Sequence, residues 1–587
     1  MLSPIHQSEG IEGGDRRMSD QQTAQQPGTI AGESHSEWAL RPWLLGAVLA
    51  AAGLAIHFSG GGAGPYVKVG WRAALAAFLF FGSLSFAFLV ERERWKGALV
   101  FALGTGVVMA GLAWRAVGGG DSIADPEYGF FAGVIATGLA LPMYQAGFHR
   151  TRFATPYRTL HESAWSDAIS GAGALAFMGA AWLMLALMAE LFHLLKIDFL
   201  RDLMNKDWFG WIWSGAAFGA ALGVLWNELK IIGTLQRLVM VVLSILAVPM
   251  ALGLALFLLA MIVSGPDVLW EATRSATPIL LTCAAGAWVL ANAIVRDSDD
   301  DASHNRVLRI AGLVLALSIL PLTVFAAISL GTRVAQYGLS PERLWGLVAI
   351  GVACAYGLAW LVAVLRGWRG KAQSGGWMAR IRESNIHLAA AICVVALFLA
   401  LPILDFGAIS ARSQIARLES GKVSPDRFDY AALRWDFGDA GRRALAGLAS
   451  GKGDTAKFAK EAQAQKNRPY RTMTPAEVTD FLIRVQPSDP KLEKLVRDYI
   501  RDNRWACNEA CVAIETRAPR DGKRHVAIVQ GRSFAEVTLP EADTSGDVLA
   551  KEYPSVSGPD SKVEIRMIEK RYIFVDGKPL DRPLDDD

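Results

Sequence analysis

The first 404 residues lack charge where their apolar residues run longest. Eleven stretches contain no Asp, Glu, Lys or Arg: Pro42–Phe58, Ala73–Val90, Gly97–Trp114, Gly129–Phe148, Ala168–Ala189, Trp211–Asn227, Leu238–Val263, Ser275–Val295, Ile310–Thr332, Leu344–Leu365 and Ile386–Leu404. Ionisable groups inside hydrocarbon are costly and mark ion or proton routes. Their omission argues against a proton-coupled pump or a voltage sensor, and leaves open a pore lined by backbone, Ser, Thr or water. Charge is scarce overall too, at 20% of residues against 52% hydrophobic, where soluble chains carry about a quarter. The net charge of +3 is too balanced for the basic face of a nucleic-acid binder, so no nucleic-acid partner is expected.

Thiols, imidazoles and phosphate loops are sparse as well. Of five Cys, Cys283, Cys354 and Cys393 sit inside apolar runs and read as small buried residues. Cys507-Asn508-Glu509-Ala510-Cys511 is the one pair outside the runs; in an oxidising compartment it reads as a disulfide stapling a helix-to-strand junction. Metal or redox use would want His ligands nearby, and His525 is the only His after His387. The same scarcity argues against a His-based hydrolytic triad. Gly60-Gly61-Gly62 and Gly118-Gly119-Gly120 lack the Lys-Ser/Thr that completes a phosphate loop and read as connectors. No cofactor is expected.

What is present is a repeated design of apolar run followed by short polar turn. A helix crosses a bilayer with about 20 apolar residues, so the runs predict an all-α polytopic bundle of about eleven spans over 38–404. The lipid bilayer is its first partner. The turn Gln336-Tyr337-Gly338-Leu339-Ser340-Pro341-Glu342-Arg343-Leu344 shows how spans are punctuated. Gly338 closes one helix, Ser340 caps the next, Pro341 suits its first position, and Glu342 favours its positive end. The sixth run is short, which leaves a tilted or re-entrant segment open. Seventeen of nineteen Trp lie between Trp38 and Trp377, mostly near run ends, where interfacial belts belong.

The tail 1–37 is rich in Gln, Gly, Ser and Glu and is expected to be disordered. Met18 offers an alternative start, and no signal peptide is expected. If the N-terminus is cytoplasmic, the inner loops carry sixteen Lys and Arg against nine in the outer loops. This bias predicts an inside N-terminus. Eleven crossings then put residues 405–587 outside, in the periplasm of a Gram-negative cell. Within the loops, Lys196–Phe209 alternates apolar and charged residues and should lie flat on the outer surface. His149–Asp167 does the same inside, with Tyr157, Leu160 and Trp165 on its apolar side.

After Leu404 the pattern is that of a soluble α+β domain with helices first. Helices are expected at 408–420, 426–436, 438–450, 453–467, 474–485 and 489–503. Strands are expected at Arg524–Gln530, Ala535–Leu539, Lys562–Ile568 and Arg571–Val575, with turns at Asp521-Gly522 and Asp576-Gly577.

Three blocks carry a resemblance. The turn 336–344, with Tyr337, Gly338, Ser340, Pro341 and Arg343, is one. A second is Ile409-Ser410-Ala411-Arg412-Ser413-Gln414-Ile415-Ala416-Arg417-Leu418, running on to Phe428-Asp429 and Gly441-Arg442-Arg443-Ala444-Leu445. The third is Leu160-His161-Glu162-Ser163-Ala164-Trp165-Ser166-Asp167-Ala168. Over about 150–450 the chain resembles the bacterial multipass membrane family called domain of unknown function 4153. The resemblance implies a bacterial inner-membrane protein and transfers no catalytic residue.

The remaining candidates are weak. Glu190 and His193, three apart past the fifth run, could ligate a metal or relay a proton, but a lone Glu-x-x-His lacks the second copy of di-iron bundles and reads as an interfacial polar pair. Asp121, Asp125 and Glu127 could bind a hard cation but, like Asp297 and Asp299–Asp301, read as solvated loops. Pro142, Pro249, Pro278, Pro321 and Pro402 could break helices at a transport site, though a kink is the commoner outcome. The function expected first is an envelope scaffold or regulator that engages a protein partner through 405–587. The alternatives are a transporter or channel for a neutral or lipidic solute, and a membrane-embedded transferase using a lipid-linked donor. The first outer loop, Ser59–Gly70, lacks the acidic residues such a transferase commonly needs.

Overall fold

A computed structural model describes residues 38–60, 69–265, 276–369, 376–466, 468, 483–503, 506–507, 511–518, 522–530, 533–540, 570–575 and 578–579. The tail 1–37, the strand expected at Lys562–Ile568 and the turn at Asp576-Gly577 lie outside them, as does most of the helix expected at 474–485.

The apolar runs all become helices: α1 (Arg41–Gly60), α2 (Gly70–Leu89), α3 (Trp95–Gly119), α4 (Pro126–Gln145), α6 (Tyr157–Leu194), α8 (Asp207–Asn227), α9 (Leu229–Ser264), α10 (Ala276–Val295), α11 (Arg306–Tyr337), α12 (Pro341–Arg369) and α13 (Gly376–Ala400). Two short helices, α5 (Phe148–Thr151) and α7 (Phe199–Met204), lie between them. Among the described residues ten helices are long and apolar enough to cross a membrane alone. The fourth run passes the same test with its continuation Phe148–Ala154, across an 81° bend. The chain is a multipass membrane protein.

Where α1 begins is the near end of the bundle, and where α1 finishes is the far end. Two packed groups hold much of the bundle's core, and smaller ones join α3, α4, α6 and α13. In the first, Leu45, Leu49, Phe88 and Leu222 join α1, α2 and α8. In the second, Leu254, Leu280, Leu315, Ile319, Trp360 and Ile381 join α9 through α13. The joint between α1 and α8 explains the short sixth run. Gly215, Gly219 and Gly223 form a stripe four residues apart on α8, and a side chain on any of them would collide with the α1 backbone at Leu49, Leu45 or Pro42. Small residues at this spacing let two helices approach within backbone contact. The 21-residue α8 is therefore a complete helix along α1, neither re-entrant nor broken.

Prolines do not interrupt the helices. Pro142, Pro249 and Pro321 lie inside continuous α4, α9 and α11, Pro278 falls in the first turn of α10, and Pro402 lies past α13. The segment His149–Asp167, expected to lie flat along the inner surface, is divided: its first part ends α5 and turns, and from Tyr157 it opens the 38-residue α6, continuous with the fifth run. Its apolar side is as expected in part, with Leu160 buried.

After Ala400 the helices shorten: α14 (Phe406–Glu419), α15 (Tyr430–Trp435), α16 (Gly438–Ala449) and α17 (Asp454–Ala464) enclose Phe428, Leu433, Phe437 and Leu445. A four-stranded sheet follows in the order β1 (Ile483–Gln486), β2 (Cys511–Glu515), β3 (Lys523–Gln530), β4 (Ser533–Pro540), with β1 parallel to β2 and the rest antiparallel. The parallel pair is bridged by α18 (Pro490–Asp502), whose Leu492, Val496 and Ile500 stack one face onto the sheet. Residues 483–485 are thus strand, correcting the helix expected there. Ile483 and Val485 alternate with Arg484 and Gln486, and their backbone pairs with β2. A two-residue ladder joins β5 (Phe574–Val575) to β6 (Lys578–Pro579).

Candidate functional site

At the far end, two of the segments singled out in the sequence are bound to each other. Helix α11 finishes at Tyr337, and Gly338 leaves it at φ +76°, a left-handed conformation suited to glycine. The last carbonyls of a helix have no partner within it. Here α14 supplies them. Gln414 Nε2 donates to the Tyr337 and Leu339 carbonyls, at 2.8 Å each. Arg417 donates to Ala335 at 2.9 Å and to Gln336. Arg343 closes the turn from the other side, donating to the Gly338 carbonyl at 2.7 Å and lying over the Tyr337 ring. Ser340 accepts from the Arg343 amide at 3.4 Å, the N-cap expected at the start of α12, and Pro341 takes its first helical position. Two guanidinium groups at the negative end of α11 also favour its dipole. A Cβ on Gly338 would lie 2.6 Å from the Arg417 side chain, so the clamp needs glycine for space as well as conformation.

The same end carries a second contact. Gly438, at φ +60°, and Gly407 pack against the turn Ser122–Ala124 between α3 and α4, with no room for a side chain at either. Trp345 bridges Tyr128 and Phe406, its ring centroid 5.7 Å from the first and 4.9 Å from the second. Beside this joint, Asp125 is half-buried. Burial pushes its carboxyl up to about 6, with the negative charges of Glu127, Glu342 and Asp436 adding and Arg468 opposing. Asp436 is raised to about 6 for the same first reason, opposed by Arg468, which lies 2.8 Å away. The turn expected to be freely solvated is a docking face instead.

A groove runs between α14 and α16. Its lining is Ala408, Ala411, Arg412, Ile415, Ala416 and Glu419 from one helix, with Ala440, Arg443 and Ala444 from the other; its volume is about 360 Å³.

At the near end a buried polar network ties four helices. Trp360 Nε1 donates to Asn385 Oδ1 at 3.0 Å, and Asn385 Nδ2 donates to Asn292 Oδ1 at 2.8 Å and the Tyr157 hydroxyl at 3.3 Å. Buried Arg382 donates to the Val295 carbonyl at 2.9 Å and the Ser298 carbonyl at 3.1 Å, and pairs with Asp299. The acidic run after α10 is therefore partly a counter-ion set, not only solvation. Sequence reasoning missed Asn292, Arg382 and Asn385. The available signal, for Asn292 alone, was an amide inside an otherwise apolar run.

Glu190 and His193 end on the exposed last turn of α6. His193 pairs with Asp198 and faces Arg201 at 3.5 Å. No group of three metal-ligating side chains occurs among the described residues. Cys507 and Cys511 lie side by side in the core under α18, their Cα atoms 5.9 Å apart, within disulfide reach.

A family model described as "Domain of unknown function (DUF4153)" matches residues 73–448, more than half of the chain. No curated protein and no solved structure matches it.

Proposed function

We propose a scaffold role for this chain, which belongs to the DUF4153 family: it holds a soluble module of residues 405–587 in fixed register on one face of the bacterial inner membrane, where a protein partner reads it. The clamp of Gln414 and Arg417 on the end of α11 carries the reading. A flexible tether would need only the covalent link after Ala400. Side-chain bonds to four backbone carbonyls, those of Ala335, Gln336, Tyr337 and Leu339, are the design of a part whose orientation matters. The Lys and Arg bias supports a periplasmic face for the module, an oxidising setting in which Cys507 and Cys511 form a disulfide.

Two experiments address orientation. An alkaline phosphatase fusion at Asp587 is expected to be active, and Cys507 and Cys511 should resist thiol labelling until reduced. A third addresses role. Photo-crosslinkers placed one at a time on exposed positions of 454–464 and 490–502 in living cells should give a discrete protein adduct, weakened in Arg417→Ala. Absence of any adduct, together with solute flux through the protein in proteoliposomes, would replace the scaffold by the transporter reading.

A further inference from the structure

We infer that the groove between α14 and α16 binds the phosphodiester headgroup of a membrane lipid, with Arg412 and Arg443 as its ligands. Four arginines stand on or beside the groove, and they divide cleanly. Arg417 is spent on the α11 carbonyls and Arg442 on Asp439, at 2.6 Å. Arg412 uses only Nε, on the Ala408 carbonyl at 3.3 Å, and its two terminal nitrogens bond to nothing among the described residues. Arg443 has no hydrogen bond or ion pair among the described residues. Both are exposed, and they face the groove from opposite walls. Paired guanidinium groups across a gap suit a phosphate, which accepts two or more parallel N–H bonds.

The floor fits a lipid better than a free anion. It is built of Ala408, Ala411, Ala416, Ala440 and Ala444 with Ile415, short apolar side chains that let a glycerol and the first methylenes lie against backbone. One wall of the groove is also the helix that follows the last span. Helix α14 begins six residues after α13 ends, and the connection carries Leu401, Ile403 and Leu404 exposed. Exposed aliphatic side chains at the end of a span belong in the interfacial layer, the level at which lipid phosphates lie. Glu419 lies seven residues from Arg412, on the same wall and about 10 Å along the helix axis. Its carboxylate disfavours a second anion at that end, so the groove holds one phosphate rather than a polyanion.

This assignment is independent of the scaffold reading; it needs only that α14 lies at the membrane surface. The test uses the full chain in a neutral detergent. Phosphatidylglycerol is titrated in and bound lipid is counted by native mass spectrometry, with thermal unfolding followed in parallel. Wild type is expected to retain one lipid more than Arg412→Gln/Arg443→Gln, whose apparent affinity should fall at least tenfold. Lys422→Gln, a charge change off the groove, should match wild type. The wild-type preference should shrink as salt is raised from 50 to 500 mM. Equal retention by the double variant would overturn the proposal. Equal protection by inorganic phosphate would also overturn it, because the lipid body would then contribute nothing. Should the double variant unfold, Arg443→Gln alone gives the same comparison, since Arg443 makes no bond to lose among the described residues.

Discussion

Gln414 Nε2 sits 2.8 Å from the carbonyl oxygen of Leu339, seventy-five residues earlier in the chain. The bond joins the first helix after the spans to the turn between two of them. Together with Arg417 it makes the end of α11 part of the module's own fold.

Removing that link should loosen the junction without emptying the membrane. Gln414→Ala/Arg417→Ala is expected to cost about 1–3 kcal/mol, the range for a few partly exposed hydrogen bonds of which some are charge-assisted. Limited proteolysis between Leu401 and Asp405 should quicken in the double variant and stay at the wild-type rate in Arg442→Ala. Equal rates in all three would deny the clamp its structural part.

The α1–α8 joint makes a sharper demand. Gly219→Val pushes a branched side chain into the Leu45 backbone, and overpacking costs about 1–3 kcal/mol or more when backbone must move. Little monodisperse protein should elute in size-exclusion chromatography. Gly179→Ala, where nothing lies within 4 Å, is the matched control and should elute as wild type.

Acid should tighten the far-end joint. The folded carboxyls of Asp125 and Asp436 titrate near 6, above the ordinary value near 4, so the folded chain holds protons there that the unfolded chain releases. Their contribution is complete below about pH 4 and disappears as pH rises through about 6. The melting temperature should therefore fall between pH 5 and pH 7.5, and Asp125→Asn/Asp436→Asn should flatten that slope. A slope unchanged by the double variant would place its origin elsewhere.

In the sheet, Arg524 is buried between Glu515 and Asp489, and Asp489 also caps α18 through the Lys491 amide at 2.9 Å. Both carboxylates hold the guanidinium in its charged form. Arg524→Met strands Glu515, whose side chain is only 10% exposed. A cost of about 3–5 kcal/mol follows for breaking a buried pair from one side. Hydrogen exchange over 511–539 in the full-length protein should accelerate by more than tenfold.

Much of this was legible in the chain itself, for identifiable reasons. Uncharged runs of twenty residues have one cheap solution in lipid, and each run became a helix. The punctuation at Gly338, Ser340 and Pro341 acts locally, so short-range rules sufficed for it. Partners set by distance were not legible. Nothing near Gln414 announces that its amide will reach Leu339, and Asn385 looks like a helix-end residue until Asn292 and Trp360 arrive beside it. The strand at Ile483–Gln486 failed for a related cause: four residues carry too little period to declare themselves without β2.

The arginine bonds across the end of α11 also have a mechanical meaning. Tension on residues 405–587 would be shared between the peptide link after Ala400 and the bonds of Gln414 and Arg417 to the end of α11. The last turn of α11 would feel such a load before the connection after α13 straightened, so the bundle interior stands in series with whatever tugs on the module.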